Sequence, residues 1–198
     1  AALAAGTVPS VAGPAVQHEP ALEMVACWLP NDPKLAALRL LLDDAALRER
    51  ALPEVACALA GPGARVIDHR TTLVQWVPEL RACARIDLSV LAAEATTPQQ
   101  YSLYVKADLE QDGAVLHGVL QALRASPAAA DGRLHTAAPL LWQSATGLHW
   151  QHALRGEPLS DVEPHPGPAT AALLGTQLAA LHNTPVPSPA RLDAALLA

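Results

Sequence analysis

The sequence contains no phenylalanine, and aromatic residues make up only 3% of its 198 positions. We therefore expect a core of alanine, leucine and valine, with the four tryptophans as its few large side chains. Apolar residues still account for 51% of the chain, which excludes a protein that is disordered throughout. This length is sufficient to bury a core in one large domain or two small ones.

Basic runs are also missing, and the net charge is −6. A nucleic-acid partner is not expected, because neutralising a phosphate backbone requires clustered arginine and lysine. The apolar amino terminus lacks a basic flank and is interrupted by proline and glycine. Neither a signal peptide nor a membrane span is predicted there, and the expected localisation is cytoplasmic.

Several chemical motifs are absent. The three cysteines, Cys27, Cys57 and Cys83, form no Cys-x-x-Cys pair, so we expect buried free thiols in a reducing compartment. Neither Gly-x-Ser-x-Gly nor Gly-x-x-x-x-Gly-Lys occurs, which leaves acyl transfer and P-loop chemistry without a motif. No metal site is predicted, since His149 and His152 lie three apart in a predicted strand and would point to opposite faces.

Four segments are predicted along the chain. Residues 1–20 form a flexible leader rich in alanine, glycine and proline, and residues 21–62 form an N-terminal helical segment. Asp32 suits the N-cap of its first helix, with proline following at the first helical position. Residues 63–156 form a lobe of strands, and residues 157–198 form a connector and a helix that starts near Pro168.

The lobe at residues 63–156 is predicted from its alternation of apolar and polar residues. Strands are expected at 64–77, 81–91 and 101–108, followed by a helix at 112–126 with one apolar face. Two short strands around a Ser-Ala-Thr-Gly turn complete the lobe. The expected fold class is therefore α+β, with a five-stranded antiparallel sheet and one helix after its third strand.

Lysine is scarce, with two residues against eleven arginines, and Lys106 lies in the predicted strand YSLYVKAD at 101–108. Lysine differs from arginine in offering a compact ammonium group. A lysine near the end of an apolar strand, followed by a turn and a helix, is how a kinase-type lobe binds nucleotide phosphates. The alternative is a strand-edge lysine that reaches solvent through its aliphatic stem.

Four stretches together resemble the aminoglycoside phosphotransferase and choline kinase-like family, which has the protein-kinase fold. LVQWVPELRACARIDL is similar to the hairpin that covers the phosphates, and YSLYVKAD is similar to the strand with the phosphate-binding lysine. GLHWQHALRGEPL resembles the last small-lobe strand and hinge, and LLGTQLAALHNTPV resembles the first helix of the large lobe. The resemblance covers roughly residues 63–186 and implies the N-terminal lobe with an incomplete large lobe.

The resemblance implies a nucleotide site with ATP and Mg²⁺ as cofactors and a small-molecule acceptor as substrate. Lys106 would bridge two phosphates, and the turn at residues 78–81 would close over them, with Arg81 or Arg85 adding charge. The backbone of His152, Ala153 and Leu154 would form the hinge that reads adenine. The adenine slot would be lined by Val74, Trp76, Ala84 and Leu103.

Three departures from the family pattern leave two interpretations open. Residues 114–125 carry no carboxylate for the lysine, so Glu110 or Asp112 would have to substitute; the Pro-Glu-Leu turn lacks glycine; and no histidine is followed two residues later by aspartate. The chain alone is therefore expected to be inactive. It is either the ATP-binding lobe of a small-molecule phosphotransferase or a non-catalytic kinase-like binding or scaffold module. In both cases an exposed lobe surface could support a homodimer.

Overall fold

The structure is a computed structural model that describes residues 7, 10, 13–108, 113–156, 159 and 167–186. The described residues divide into two compact units. One comprises Ala1–Gly113 and Leu140–Gln151, and the other comprises Ala114–Pro139 and His152–Ala198. This division does not follow the predicted boundary after residue 156.

The first unit begins with a hairpin that the sequence pattern did not predict. Strand β1 (Val16–Glu19) pairs antiparallel with strand β2 (Met24–Cys27) across a 3₁₀ turn at Pro20–Leu22. The predicted leader and helix are therefore wrong for residues 16–27. Four-residue strands are too short for their alternation to stand out from the surrounding alanine and valine.

Three short helices follow within the predicted helical segment: α1 (Ala36–Leu42), α2 (Asp44–Arg50) and α3 (Leu52–Ala60). The side chain of Asp43 caps α2 by accepting a hydrogen bond from the N–H of Ala46 at 3.1 Å. Gly61 follows α3 with φ 86°, a left-handed conformation that glycine adopts without strain. The helices bury a leucine-rich face, with Leu38, Leu47 and Val55 completely shielded.

The central element is a five-stranded antiparallel sheet, which confirms the predicted α+β class and the sheet. Its strands are β3 (Arg65–Val77), β4 (Arg81–Leu91), β5 (Gln99–Asp108), β6 (Pro139–Gln143) and β7 (Leu148–His152). They are arranged in the order β3-β4-β5-β7-β6, so β5 is the central strand. Helix α4 (Gly113–Arg124) follows the third strand of this sheet, as the pattern predicted.

One face of the sheet forms the main core with the helices α1–α3. Alternate residues of β4 are at most 2% exposed, and these are Ala82, Ala84, Ile86, Leu88 and Val90. Leu103, Val105 and Ala107 extend the same buried face onto β5, and Trp150 extends it onto β7. The opposite face of β4 and β5 is polar, because side chains alternate across a strand.

The second unit is described by two further helices and a small core. Helix α5 (Pro127–Ala130) is capped by Ser126, and helix α6 covers Pro168–His182. Leu123, Leu134 and Ala180 belong to the core of this unit. In the described ranges, no helix has both the length and the apolar character needed to cross a membrane.

Candidate functional site

Lys106 lies near the end of the central strand β5, on the polar face of the sheet. Its neighbours Val105 and Ala107 are fully buried on the opposite face, so the lysine side chain points away from the core. The residue is half-buried and has no hydrogen bond or ion pair with any other described residue. The ammonium group is therefore available to an anion on this face.

The register places several functional side chains around Lys106. Cys83 of β4 is its direct cross-strand partner, and Arg81 is the partner of Asp108. Tyr104, two residues before the lysine, shares its face. Burial raises the pKa of the Cys83 thiol, the positive charge of Lys106 opposes that shift, and the carboxylate of Asp108 adds to it. Tyr104 and Cys83 are not among the site residues predicted from the sequence, although the period of two in YSLYVKAD places Tyr104 on the face of the lysine.

A hydrogen-bonded network occupies the far end of this polar face. The carboxylate of Asp87 accepts hydrogen bonds from the guanidinium of Arg85 at 2.9 Å and from the hydroxyl of Ser102. Burial would raise the pKa of Asp87, but the bond from Ser102 and the adjacent guanidinium lower it overall. Arg85 is thereby engaged, whereas the exposed Arg81 has no bond to another described residue. Of these two arginines, Arg81 is the one free to add charge near Lys106.

The turn between β3 and β4 is held by Asp32 from the N-terminal segment, a contact that the sequence did not reveal. One carboxylate oxygen of Asp32 accepts hydrogen bonds from the N–H of Glu79 at 2.7 Å and from the indole N–H of Trp76 at 3.1 Å. The other accepts from the backbone N–H groups of Lys34 and Leu35, at 3.0 and 2.9 Å. We call this set of four hydrogen bonds the Asp32 clamp.

The Asp32 clamp corrects the predicted role of the turn at residues 78–81. The N–H of Glu79 is bonded to Asp32, and the N–H of Leu80 donates to the carbonyl of Val77 at 3.1 Å. These two amides are not free to bind phosphates in this conformation. The side chain of Glu79 is paired with the ammonium of Lys34 at 2.6 Å, on the exposed surface.

The electrostatics of Asp32 follow from its surroundings. The residue is only 3% exposed, and burial by itself would raise the pKa of its carboxyl group. The four hydrogen bonds outweigh that effect, the bond from the Glu79 amide most strongly, and the net result is a lowered pKa. Asp32 is therefore held as a carboxylate within the turn.

The predicted hinge residues lie at the end of β7, in the second unit, whereas Lys106 belongs to the first. The N–H of His152 donates to the carbonyl of Ala138 at 2.8 Å, so that amide is already used. Burial lowers the pKa of His152, and the charge of Arg124 lowers it further. Leu154 is 59% exposed and lines a cavity of about 310 Å³ within its own unit.

The predicted adenine slot is wrong for geometric reasons. Ala84 and Leu103 are completely buried in the core beneath α1–α3, on the face opposite Lys106. Trp76 packs against the same core, and Val74 lies at a β-bulge with 56% of its surface exposed. The four side chains therefore cannot line one slot together with the lysine.

No carboxylate forms an ion pair with the lysine in the described residues, although Asp108 lies on the same face two residues further along β5. Glu110 and Asp112, the suggested partners of Lys106, lie outside the described ranges. Helix α4, with the sequence GAVLHGVLQALR, carries no aspartate or glutamate. Within the part of the chain that the structure describes, no group of three histidine, cysteine, aspartate or glutamate residues could hold a metal ion.

No family model, no curated protein and no solved structure matches the chain. The kinase-like interpretation is therefore a prediction from the sequence motifs alone.

Proposed function

We propose that this chain contains the nucleotide-binding lobe of a small-molecule phosphotransferase, with Lys106 as its phosphate-binding residue. The observation that carries the proposal is Lys106 itself, a half-buried residue on the central strand whose ammonium group makes no ion pair with any other described residue. A lysine ammonium is a compact point charge that forms charge-assisted hydrogen bonds with phosphate oxygens. Such a group is suited to a phosphate.

The surroundings of Lys106 fit a nucleotide better than a simple anion. Arg81 lies on β4, two residues before Cys83, the cross-strand partner of Lys106, and can contribute a second positive charge. Tyr104 offers an aromatic ring on the same face, against which a base can stack. This aromatic contact takes the place of the apolar slot that the sequence suggested on the wrong face.

The proposal is limited to nucleotide binding by this chain. ATP would supply the transferable phosphoryl group. Transfer also requires a general base and metal ligands, which position the acceptor and neutralise charge. The sequence has no His-x-Asp motif, and the described residues offer no metal-binding cluster. Those parts would have to come from residues outside the described ranges or from another polypeptide.

Thermal denaturation with ATP and Mg²⁺ tests the proposal, since a ligand of the folded state raises the midpoint by mass action. We expect a saturable rise for the natural chain and none for Lys106→Ala. Arg65→Ala is the matched control, because Arg65 is an exposed cation at the end of the same sheet that is farther from Lys106. Equal shifts for Lys106→Ala and the natural chain would refute the role of the lysine.

Thiol alkylation gives an independent readout, because Cys83 lies directly across from Lys106. Bound nucleotide should slow the modification of Cys83 by iodoacetamide. Cys57 is exposed, so the expectation that all three thiols are buried is wrong for this residue. It serves as an internal control and should react at an unchanged rate. Unchanged labelling of Cys83 at saturating ATP would place the nucleotide elsewhere.

A second candidate function is a non-catalytic kinase-like binding or scaffold module, and the Asp32 clamp favours it. In that case the carboxylate of Asp32 permanently occupies the turn amide that a phosphate would otherwise use. The thermal experiment separates the two candidates. For a nucleotide-binding lobe, ATP raises the midpoint of thermal denaturation and the rise depends on Lys106. For a non-catalytic binding or scaffold module, the midpoint does not change with ATP, ADP or GTP.

A further inference from the structure

A cavity of about 400 Å³ opens in the first unit, and of the polar face around Lys106 only Asp108 borders it. It lies between the beginning of α1, the helix α2 and the turn that joins β6 to β7. Its volume is in the range of pockets that hold small metabolites. The chain has a net charge of −6, yet three of its thirteen basic residues line this one cavity: Lys34, Arg39 and Arg50.

The charged groups of the cavity differ in how far they are already compensated. Arg39 and Asp108 each have an interaction within the chain, and Asp43 accepts the capping hydrogen bond of α2. Lys34 is paired with Glu79 on the exposed surface, where an ion pair is readily exchanged, and Asp32 adds a second negative charge nearby. Arg50 is exposed and has no bond to any other described residue.

The remaining lining combines apolar and hydroxyl groups. Leu35 and Leu40 are 2% and 7% exposed and supply an apolar wall. The β6–β7 turn contributes the hydroxyl groups of Ser144 and Thr146, and the Thr146 hydroxyl, which donates to the carbonyl of Gln143 at 3.3 Å, can still accept a hydrogen bond. A sugar ring has the same division, with an apolar C–H face and an edge of hydroxyl groups.

We propose that this cavity binds a monosaccharide that carries a phosphate or a carboxylate group. Arg50 and Lys34 bind the anionic group, since charge-assisted hydrogen bonds from cationic side chains are the strongest available here. The carboxylate of Asp43 and the hydroxyls of Ser144 and Thr146 bind the sugar hydroxyls. The site does not depend on the nucleotide proposal, because none of its residues belongs to the polar face around Lys106, apart from Asp108 at the end of β5.

Isothermal titration of the whole chain at low ionic strength tests this site with glucose 6-phosphate, glucuronate, glucose and inorganic phosphate. We expect saturable binding of at least one of the two sugar anions at micromolar to millimolar concentration, and binding of glucose and phosphate at least about tenfold weaker. The stronger of the two sugar anions identifies whether the anionic group is phosphate or carboxylate.

Arg50→Gln should weaken binding of that sugar anion by about tenfold or more, because it removes the uncompensated charge. Arg48→Gln is the matched control: Arg48 lies on the same helix, does not line the cavity and bonds to Asp44. Ser144→Ala on the opposite wall gives a second variant, with a smaller loss. Failure of both sugar anions to saturate, equal affinity for glucose, or full affinity in Arg50→Gln would each overturn the proposal.

Discussion

The carboxylate of Asp32 accepts a hydrogen bond at 2.7 Å from the backbone N–H of Glu79, a residue 47 positions further along the chain. Glu79 has φ 61°, a left-handed conformation that is unusual for a residue other than glycine. The same carboxylate organises the entry to α1 through the N–H groups of Lys34 and Leu35. One buried side chain therefore fixes both the N-terminal segment and the β3–β4 turn.

Replacing Asp32 with alanine should lower the free energy of unfolding by roughly 2–4 kcal/mol, because four donors lose their acceptor. Urea denaturation measures this change, and hydrogen exchange at the Glu79 amide should accelerate at the same time. Asp43→Ala is the control, since Asp43 caps α2 through a single hydrogen bond and should cost about 1 kcal/mol. Equal losses in the two variants would show that the contact with the turn contributes nothing.

The lowered pKa of Asp32 predicts acid sensitivity. Below its ordinary value of 3.8, the unfolded chain takes up a proton that the folded chain resists, so stability declines as the pH falls toward the folded pKa. Urea midpoints between pH 6 and pH 3 should fall more steeply for the natural chain than for Asp32→Asn, which cannot titrate. Parallel profiles for the two proteins would contradict this assignment.

Glu79→Gly should leave the free energy of unfolding within about 1 kcal/mol of the natural value. Glycine adopts the left-handed conformation without strain, but it also gives the unfolded chain more conformational freedom, and these two effects oppose each other. If Lys106 binds a nucleotide, the variant should also bind ATP more tightly, since a negative side chain is removed from the turn. Thermal shifts with ATP measure both effects. Glu94→Gly, in the loop before β5, controls for the change in net charge.

His69 should make the fold sensitive to pH below neutrality. Burial lowers the pKa of His69 below 6.5; the carboxylate of Asp44, at 2.8 Å, and Asp68 oppose this, whereas Arg48 adds to it. Between the folded pKa and 6.5, the unfolded chain binds more protons, so stability is full above 6.5 and is lost as the pH falls. His69→Gln should flatten that part of the profile in urea denaturation. A stability that increases on acidification would show that Asp44 dominates instead.

Gln143 links the β6–β7 hairpin to the helices. Its amide N–H₂ donates to the carbonyl of Ala51 at 3.0 Å and to Glu54 at 2.8 Å, and its amide oxygen accepts from the indole of Trp150 at 2.7 Å. Gln143→Leu should destabilise the fold by roughly 2–4 kcal/mol, because buried polar groups lose their partners. A double-mutant cycle with Trp150→Phe should give a coupling free energy of about 1 kcal/mol between the two side chains. Strictly additive losses of stability would rule out the hydrogen bond between Gln143 and Trp150.

Much of the sheet could be predicted because its pattern is local. The alternation in RACARIDLSVL places Ala84 and Ile86 on the buried face, and Lys106 follows from the same period of two in β5. The adenine slot failed because the pattern does not state which face of the sheet the helices α1–α3 cover. Ala84 and Leu103 are apolar because they form the core, and no binding role is needed to explain them.

The sequence by itself determined the α+β class, the strands and helix of the lobe, and the position of one lysine on the central strand. These features depend on the spacing of apolar and polar residues within a short segment of the chain. The tertiary structure alone decided that Asp32 holds the Glu79 turn and that the cations Lys34 and Arg50 meet at one cavity. Such contacts join segments that are distant in sequence, and a hydrogen bond between them leaves no periodic trace in either segment.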